Sequence, residues 1–353
     1  VSVVHAAKSG EIVVIAIPTK AVADLPQGLF ANVPSSVVVI DTGGTPAFGR
    51  AVRRMIRTVT DKPVRKVIYT HWHWDHVLGT SELADTGAEI IAHENIIKNF
   101  QKRWRFAATQ ARLGIFGYGP EFAGFPLVAP TRTYKKRLSF RVGEQEFQLL
   151  ASRGETDDQT FVYLPRQRML FVGDHFNPML GHPMSPEGDV DGFLEGLTVI
   201  ERIGPHRIVH GHGEFGLMTP GLGSLAVLRS VVDSIRKQVD TLASDGHDLE
   251  QTQLRVVLAH ELVNDAFARV AFSFIKEPFV NRLHKQATGY YGTNAVAYAP
   301  ASRERMAAIW IDIAGGSARL TDMAQRLLVG GEEQAALELL AVILVASPDK
   351  GLQ

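Results

Sequence analysis

The stretch "YTHWHWDHVLG" concentrates side chains that bind metal ions: His71, His73, Asp75 and His76. The run "VIYT" before them is typical of a β-strand. Two residues apart in an extended segment point to the same side, so His71 and His73 can share one ion. Asp75 and His76 lie on the following turn and face a neighbouring position. Because one open zinc site rarely draws four ligands from a single loop, the stretch predicts two adjacent metal ions.

Three further segments end a predicted strand on residue types that bind metals. Such residues at strand ends are typical of ligand sites in layered α/β folds. The candidates are Asp174 in "LFVGDHF", His210 and His212 in "RIVHGHGE", and Glu155, Asp157 and Asp158 in "SRGETDDQ". Spacing alone does not choose among the three acids of the last segment.

Composition narrows the chemistry. The chain has no cysteine, so a metal must be held by histidine and carboxylate groups, and thiolate chemistry is excluded. It has 37 basic and 37 acidic residues, so neither nucleic acid nor an anionic membrane is expected as a partner. Its apolar runs are too short to predict a membrane span. No signal peptide is recognisable, and both a periplasmic or secreted location and a cytoplasmic one stay open.

The pattern of the chain changes near residue 221. Up to about residue 215, short β-branched runs alternate with helical segments, which predicts an α/β fold. Beyond residue 222 the apolar spacing predicts amphipathic helices over 225–244, 251–262 and 264–286, with two more near the end of the chain. We therefore predict a catalytic domain over residues 1–221 and an all-α domain over residues 222–353.

The motifs "THWHWDH", "FVGD" and "HGHG" resemble the metallo-β-lactamase superfamily over roughly residues 10–220. The resemblance implies an αββα sandwich with a two-metal site between its sheets. The triplet "GET" is similar to the alkylsulfatase branch, which uses a glutamate there and a second acid nineteen positions later, the spacing of Glu155 and Asp174. The segments "GYYGTNAVAY" and "RLTDMAQRLLVGGEEQAALELLAVILVASPD" resemble the helical dimerisation domain of that branch, which implies a homodimer.

The resemblance also implies a ligand set. It gives two Zn²⁺ ions, although iron or manganese would suit the same residues. It favours His212 over His210, because His212 occupies the usual position of the superfamily. The implied ligands are His71, His73 and Glu155 for one ion, Asp75, His76 and His212 for the other, and Asp174 as the bridge.

Two departures from the branch concern the sulfate group. The stretch "GDHFNPMLGHPMSPEGDVDG" contains no arginine where alkylsulfatases grip the sulfate, and the bridging acid is aspartate instead of glutamate. The aromatic and glycine-rich segment between residues 99 and 132 would hold a hydrophobic tail. We expect substrate contacts from Trp104, Arg112, Tyr118 and His182.

These features predict a binuclear zinc-dependent hydrolase in which a metal-activated hydroxide cleaves a sulfate ester of a hydrophobic alcohol. Asp75 or Asp174 would orient the hydroxide and accept its proton, which makes them the candidate catalytic residues. The same site could instead act on a lactone, a carboxylic ester or a β-lactam. A third hypothesis is an iron-dependent redox enzyme with the same ligands.

Overall fold

The first of two β-sheets is entirely parallel. A computed structural model of the chain describes residues 14–15, 36–112, 124–176, 188–212, 221–289 and 301–346. The strands lie in chain order: β1 (Val14–Ile15), β2 (Val37–Ile40), β3 (Val64–Ile68), β4 (Glu89–His93) and β5 (Arg132–Tyr134). Parallel neighbours require crossover connections. These contain α1 (Pro46–Val59), the short helices α2 (Trp74–Val77) and α3 (Thr80–Leu83), and α4 (Asn95–Arg112).

The second sheet is mixed. Its order is β10-β9-β8-β7-β6, with an antiparallel meander from β6 to β9 and a parallel pairing between β9 and β10. The strands are β6 (Arg137–Val142), β7 (Gln145–Ala151), β8 (Thr160–Leu164), β9 (Met169–Phe171) and β10 (Arg207–Val209). Helix α5 (Val190–Ile203) makes the crossover between β9 and β10, and the side chain of Asp189 caps its N-terminus.

The two sheets face each other, with helices on both outer faces. Val38 and Ile40 belong to the core between the sheets, where Phe147 of β7 also lies. Their neighbours Val37 and Val39 point the other way, into the core under α1 and α4. This alternation follows from the two-residue period of a strand, and it needs apolar residues on both faces because both are covered. The predicted αββα sandwich is confirmed.

Three helices after residue 221 continue the layer on the second sheet: α6 (Leu225–Ser244), α7 (Leu249–Arg255) and α8 (Ala266–Thr288). One core cluster joins Phe161 and Leu170 of the sheet to Ile235 of α6 and Phe279 of α8. By its internal contacts the chain divides into Val1–Ala287 and Thr288–Gln353. The sequence pattern changes near residue 221, where we predicted the domain boundary. The packing changes only after Ala287, because α6 to α8 bury their apolar faces against the second sheet.

The helix predicted over residues 251–262 is confirmed only up to Arg255, and its predicted extent beyond that residue is wrong. Helix α7 ends at Arg255, Val256 has an extended backbone, and only a 3₁₀ turn follows at His260–Leu262. The side chain of Gln238 accepts a hydrogen bond from the Val257 N–H at 3.0 Å and donates one to the Val257 carbonyl at 2.8 Å. These two bonds replace those that a continuous helix would have made.

The second unit contains three helices within its described part: α9 (Arg303–Ala314), α10 (Ser317–Val329) and α11 (Glu333–Ala346). Ser302 caps α9, and Gly315 ends it in the left-handed conformation that favours glycine. In the part of the chain that the structure describes, we find no helix long and apolar enough to span a bilayer.

Replacing Ile235 with alanine is expected to lower the free energy of unfolding by about 2–5 kcal/mol, because truncation leaves a cavity in a well-packed core. Ile235 is fully buried. Trp72, Trp74 and Trp104 pack against the core of the first sheet and report on its unfolding by their fluorescence. Urea unfolding followed by tryptophan fluorescence and by circular dichroism should show both signals shifting together. Leu254→Ala is the control, since that side chain is 76% exposed. A shift of the helical signal alone would show that α6 to α8 unfold independently of the sheets.

Candidate metal centre

The predicted ligands converge at the ends of strands from both sheets. His71 and His73 follow β3, and Asp75 and His76 lie on α2. From the second sheet, Asp174 follows β9, His212 follows β10, and Glu155 lies between β7 and β8. These positions put side chains from distant parts of the sequence at one edge of the sandwich.

The first group contains His71, His73 and Glu155. Glu155 Oε2 lies 3.4 Å from His71 Nε2, and Glu155 Oε1 lies 3.4 Å from His73 Nδ1. His71 and Glu155 are fully buried, whereas His73 is half-buried. Sequence spacing did not choose among Glu155, Asp157 and Asp158, and in the structure it is Glu155 that lies beside the two histidines.

The second group contains Asp75, His76, Asp174 and His212. Asp174 Oδ2 lies 2.8 Å from His212 Nε2 and 3.4 Å from His76 Nε2. Asp75 Oδ2 lies 3.0 Å from His212 Nε2 and 3.4 Å from His76 Nε2. The rings of His71 and His76 are 4.2 Å apart between centroids, so the two groups are neighbours.

The donor set suits divalent cations. Ligand atoms about 2.0–2.2 Å from a tetrahedral zinc ion lie roughly 3.4 Å from one another, close to most of the separations here. Nε2 of His71 and Nε2 of His76 are buried and make no hydrogen bond with any described residue. Their nearest polar atoms are carboxylate oxygens 3.4 Å away, and a buried nitrogen that makes no hydrogen bond is costly, so these nitrogens are suited to bind an ion.

Asp41 orients two of the histidines, and the sequence analysis missed it. Its Oδ2 lies 2.8 Å from His76 Nδ1 and accepts a hydrogen bond from Thr70 Oγ1 at 2.7 Å. Its Oδ1 accepts one from the Thr70 N–H at 2.8 Å, and Thr70 Oγ1 lies 3.0 Å from His71 Nδ1. Such contacts place the ring protons on Nδ1 and leave Nε2 as the metal-binding nitrogen.

The backbone of Asp41 is also unusual, with φ at +57°. Few residues other than glycine adopt this left-handed conformation, and it is found at functional sites when the surrounding contacts enforce it. The signal in the sequence was an acid at the end of the buried strand "VVVI", directly before a glycine-rich turn.

Gly211 allows the second group to close. A Cβ atom at this position would lie 2.1 Å from Asp174 Oδ1, which no real structure tolerates. Gly173, directly before Asp174, has φ at +53°, and a Cβ atom there would lie 2.8 Å from Thr70 Oγ1. Both glycines therefore allow the close approach of the loops that carry Asp174 and His212.

Without a metal, charge on the histidines balances the acids. Burial lowers the pKa of His76, but Asp174, Asp75 and Asp41 outweigh it and hold that pKa well above its usual range. For His212, burial is likewise outweighed by hydrogen bonds to Asp174 and Asp75, which raise its pKa to about 10. Burial, together with the charge of His76, lowers the pKa of His71 to about 3. For Asp75, burial raises the pKa, but His76 and His212 hold it well below its usual range.

The other candidates lie outside the two groups. His210 is buried against Phe176 and belongs to neither. The Asp157 carboxylate pairs with Asn99 and Lys98, while burial raises the pKa of Asp158 to about 7.

The expected substrate contacts are placed only in part. Trp104 is half-buried and packs against the core under the first sheet. Tyr118, His182 and the side chain of Arg112 lie outside the described residues.

Two family models match the chain. Residues 29–212 match the model described as the metallo-beta-lactamase superfamily, and residues 278–352 match the one described as alkyl sulfatase dimerisation. The first match covers half of the chain and contains both groups of potential metal ligands.

Curated relatives match parts of the chain. A linear primary-alkylsulfatase from Pseudomonas sp. (strain ATCC 19151) is 26% identical over 166 residues, covering 40% of this chain and 31% of that protein. The alpha subunit of a 2,4-dinitroanisole O-demethylase from Nocardioides sp. (strain JS1661) is 30% identical over 144 residues, covering 40% of this chain and 38% of the other. The matched segments thus span less than two fifths of the length of either relative.

A solved structure extends the likeness in fold to most of the chain. The stereoselective inverting sec-alkylsulfatase Pisa1 from Pseudomonas sp. superposes with a TM-score of 0.70 at 19% identity, over 90% of this chain and 56% of that one. The likeness concerns the fold, which includes helices beyond the sandwich. The chain belongs to the metallo-β-lactamase superfamily, in its alkylsulfatase-like branch.

Proposed function

We propose that the chain is a binuclear zinc-dependent hydrolase that cleaves sulfate esters of hydrophobic alcohols. The observation that carries the proposal is the pair of adjacent groups, one of three and one of four potential ligands. The sulfate ester is supported by the names of the relatives, an alkylsulfatase in sequence and another in structure. His71, His73 and Glu155 would hold one ion, and Asp75, His76 and His212 the other, with Asp174 bridging.

Zinc, when bound, would lower the pKa of water to about 7 and stabilise negative charge that develops on the substrate. Asp75 is suited to orient the attacking water and accept its proton, because its carboxylate is only partly exposed and stays ionised at neutral pH. Asp174 is buried between His76 and His212, which suits it to hold both halves of the site together. Asp41 keeps the His76 ring in one orientation.

Trp104, Arg112, Tyr118 and His182 remain proposals for substrate binding. The half-buried Trp104 could extend an apolar wall toward the hydrophobic part of the substrate. An arginine such as Arg112 would match the fork of sulfate oxygens.

Asp75→Ala is expected to lower kcat by about 10²–10⁴-fold, the usual contribution of a general acid or base. The assay is release of inorganic sulfate from a medium-chain alkyl sulfate by zinc-loaded protein. A lactone, a carboxylic ester and a β-lactam are assayed in parallel. Asp233→Ala is the matched control, because that acid is exposed on α6.

Each outcome of this panel has a definite meaning. Sulfate release that depends on Asp75 supports the proposal. Turnover of another ester without sulfate release would keep the hydrolase and replace its substrate. Full activity in Asp75→Ala would contradict the catalytic assignment, and iron found in protein purified without added metal would favour redox chemistry.

Zinc binding at pH 7 is expected to release protons, because His212 has a pKa raised to about 10 and that of His76 is also raised. Protonated His212 stabilises the metal-free fold below about pH 6.5, and this contribution is lost as pH rises through about 10. Zinc affinity should therefore increase as pH rises from about 6.5 toward 10. Calorimetric titration in two buffers of different ionisation enthalpy measures the release. Equal heats in both buffers at pH 7 would show that neither histidine is protonated.

We also propose that the protein is a homodimer that associates through its second unit. The proposal is supported by the dimerisation-family match over residues 278–352 and by apolar side chains exposed on α9 and α10. Ile313 is 70% exposed, Val329 is 90% exposed, and Trp310 is half-exposed. Trp310 and Ile313 are three residues apart on α9 and therefore lie on one face of that helix, where they are suited to pack against a partner.

Ile313→Glu is expected to weaken dimerisation at least about tenfold, because it places a charge in an apolar interface. Analytical ultracentrifugation at micromolar concentration measures the mass of each variant. Leu254→Glu is the control, since Leu254 is equally exposed on α7 of the first unit. A monomeric wild type, or a dimer indifferent to Ile313→Glu, would contradict the proposal.

A further inference from the structure

His175 directly follows Asp174, yet neither metal-binding group among the described residues includes it. Its side chain is fully buried. The ring stacks on Phe193 with centroids 4.9 Å apart and meets Phe161 and Phe176 edge to face. A polar ring buried among aromatic rings needs a reason, because a phenyl ring would fill the same space without the cost of desolvation.

The hydrogen bond of this ring gives the reason. His175 Nε2 lies 3.1 Å from the carbonyl oxygen of Phe193 on α5. A carbonyl oxygen only accepts, so Nε2 must carry the ring proton and donate it. The contact with the Phe193 carbonyl therefore selects the tautomer with its proton on Nε2 and ties the ring to α5.

Two glycines make the space for the ring. A Cβ atom at Gly196 would lie 2.1 Å from His175 Cε1, and one at Gly154 would lie 3.0 Å from His175 Nδ1. Gly196 is on α5, and Gly154 immediately precedes Glu155. The imidazole therefore fills a slot between the helix and the loop that carries Glu155.

The same helix anchors that loop by independent contacts. The Asp189 N–H, at the N-cap of α5, donates to the Gly154 carbonyl at 2.7 Å. Arg153 pairs with Asp189 at 2.6 Å and with Glu195 at 2.9 Å. Helix α5 is thus the common support of two loops, one carrying Glu155 and the other carrying Asp174.

We propose that His175 is a positioning residue: its hydrogen bond to α5 fixes Asp174 relative to Glu155 and so sets the spacing of the two metal-binding groups. The inference rests on the proposed zinc site and adds to it a residue that does not touch the ions. Residues that hydrogen-bond a metal ligand typically change metal affinity 10–100-fold when they are removed, and we expect an effect in this range for His175, which acts through the backbone it shares with Asp174.

Zinc titration of metal-free protein against a chromogenic chelator tests the inference. His175→Phe keeps an aromatic ring but removes the donor, and its zinc Kd is expected to rise about 10–100-fold. His175→Gln restores an N–H group near the position of Nε2, so its Kd should lie closer to that of the wild type. The control is His284→Phe, which removes another buried imidazole of the same unit: His284 lies on α8, and its Nε2 is 2.9 Å from the carbonyl of His247 in the loop between α6 and α7.

The control separates positioning from stability. His284→Phe is expected to lower Tm without changing the zinc Kd, whereas His175→Phe should change both. An unchanged Kd in His175→Phe would overturn the inference even if Tm falls. Failure of the wild type to bind zinc would instead overturn the proposed function, and the inference with it.

Gly196→Ala provides a second route if His175→Phe does not fold. Alanine is favoured over glycine in a helix, so the substitution itself suits α5. Its Cβ atom must displace the imidazole, and the zinc Kd is expected to rise. A Kd equal to that of the wild type in this variant would also overturn the inference.

Discussion

The burial of several carboxylates at one edge of the sandwich is the constraint on which the site depends. Glu155 and Asp174 are almost completely buried, and Asp75 and Asp41 lie beside them. An unpaired buried carboxylate costs several kcal/mol, so this cluster requires positive charge. In the chain alone, protonated His76 and His212 supply it. Divalent cations would supply more and would leave the histidines neutral, so metal affinity follows from the same arrangement that makes the metal-free cluster costly.

The fold meets this constraint by drawing ligands from both sheets. The first sheet supplies His71 to His76, and the second supplies Asp174 and His212. A backbone hydrogen bond of 2.7 Å from the Thr160 N–H to the Thr70 carbonyl joins the two sheets beside the site. Ions bound there would bridge the sheets as well. Formation of the site is therefore coupled to packing of the two sheets, and the glycines at 173 and 211 are the backbone positions that permit it.

Features that depend on residues close together in the chain could be predicted from the sequence, whereas features that depend on contacts between distant residues could not. Four residues of one short motif predict a metal site, and the alternation of apolar residues along the strands predicts the layers. Asp41 was missed because its role arises from Thr70 and His76, about thirty residues away. Helix α5 contains Gly192 and Gly196, although glycine is a weak helix former. A side chain at Gly192 would collide with Arg153 and one at Gly196 with His175, and these contacts are not visible in the sequence. The helix predicted over 251–262 ends early because the side chain of Gln238 satisfies the backbone of Val257.

Glu155 has an electrostatic consequence for the proposed substrate. Three carboxylates from Asp75, Glu155 and Asp174 against two divalent ions would leave one net positive charge, whereas an imidazole at position 155 would leave two. The site would then hold its ions more firmly but attract a sulfate ester less strongly. Part of the attraction for an anionic substrate must therefore come from protein groups near the ions. No arginine closely follows Asp174 in the sequence, so for the proposed sulfate ester such a group would have to come from another segment, as the proposal for Arg112 requires.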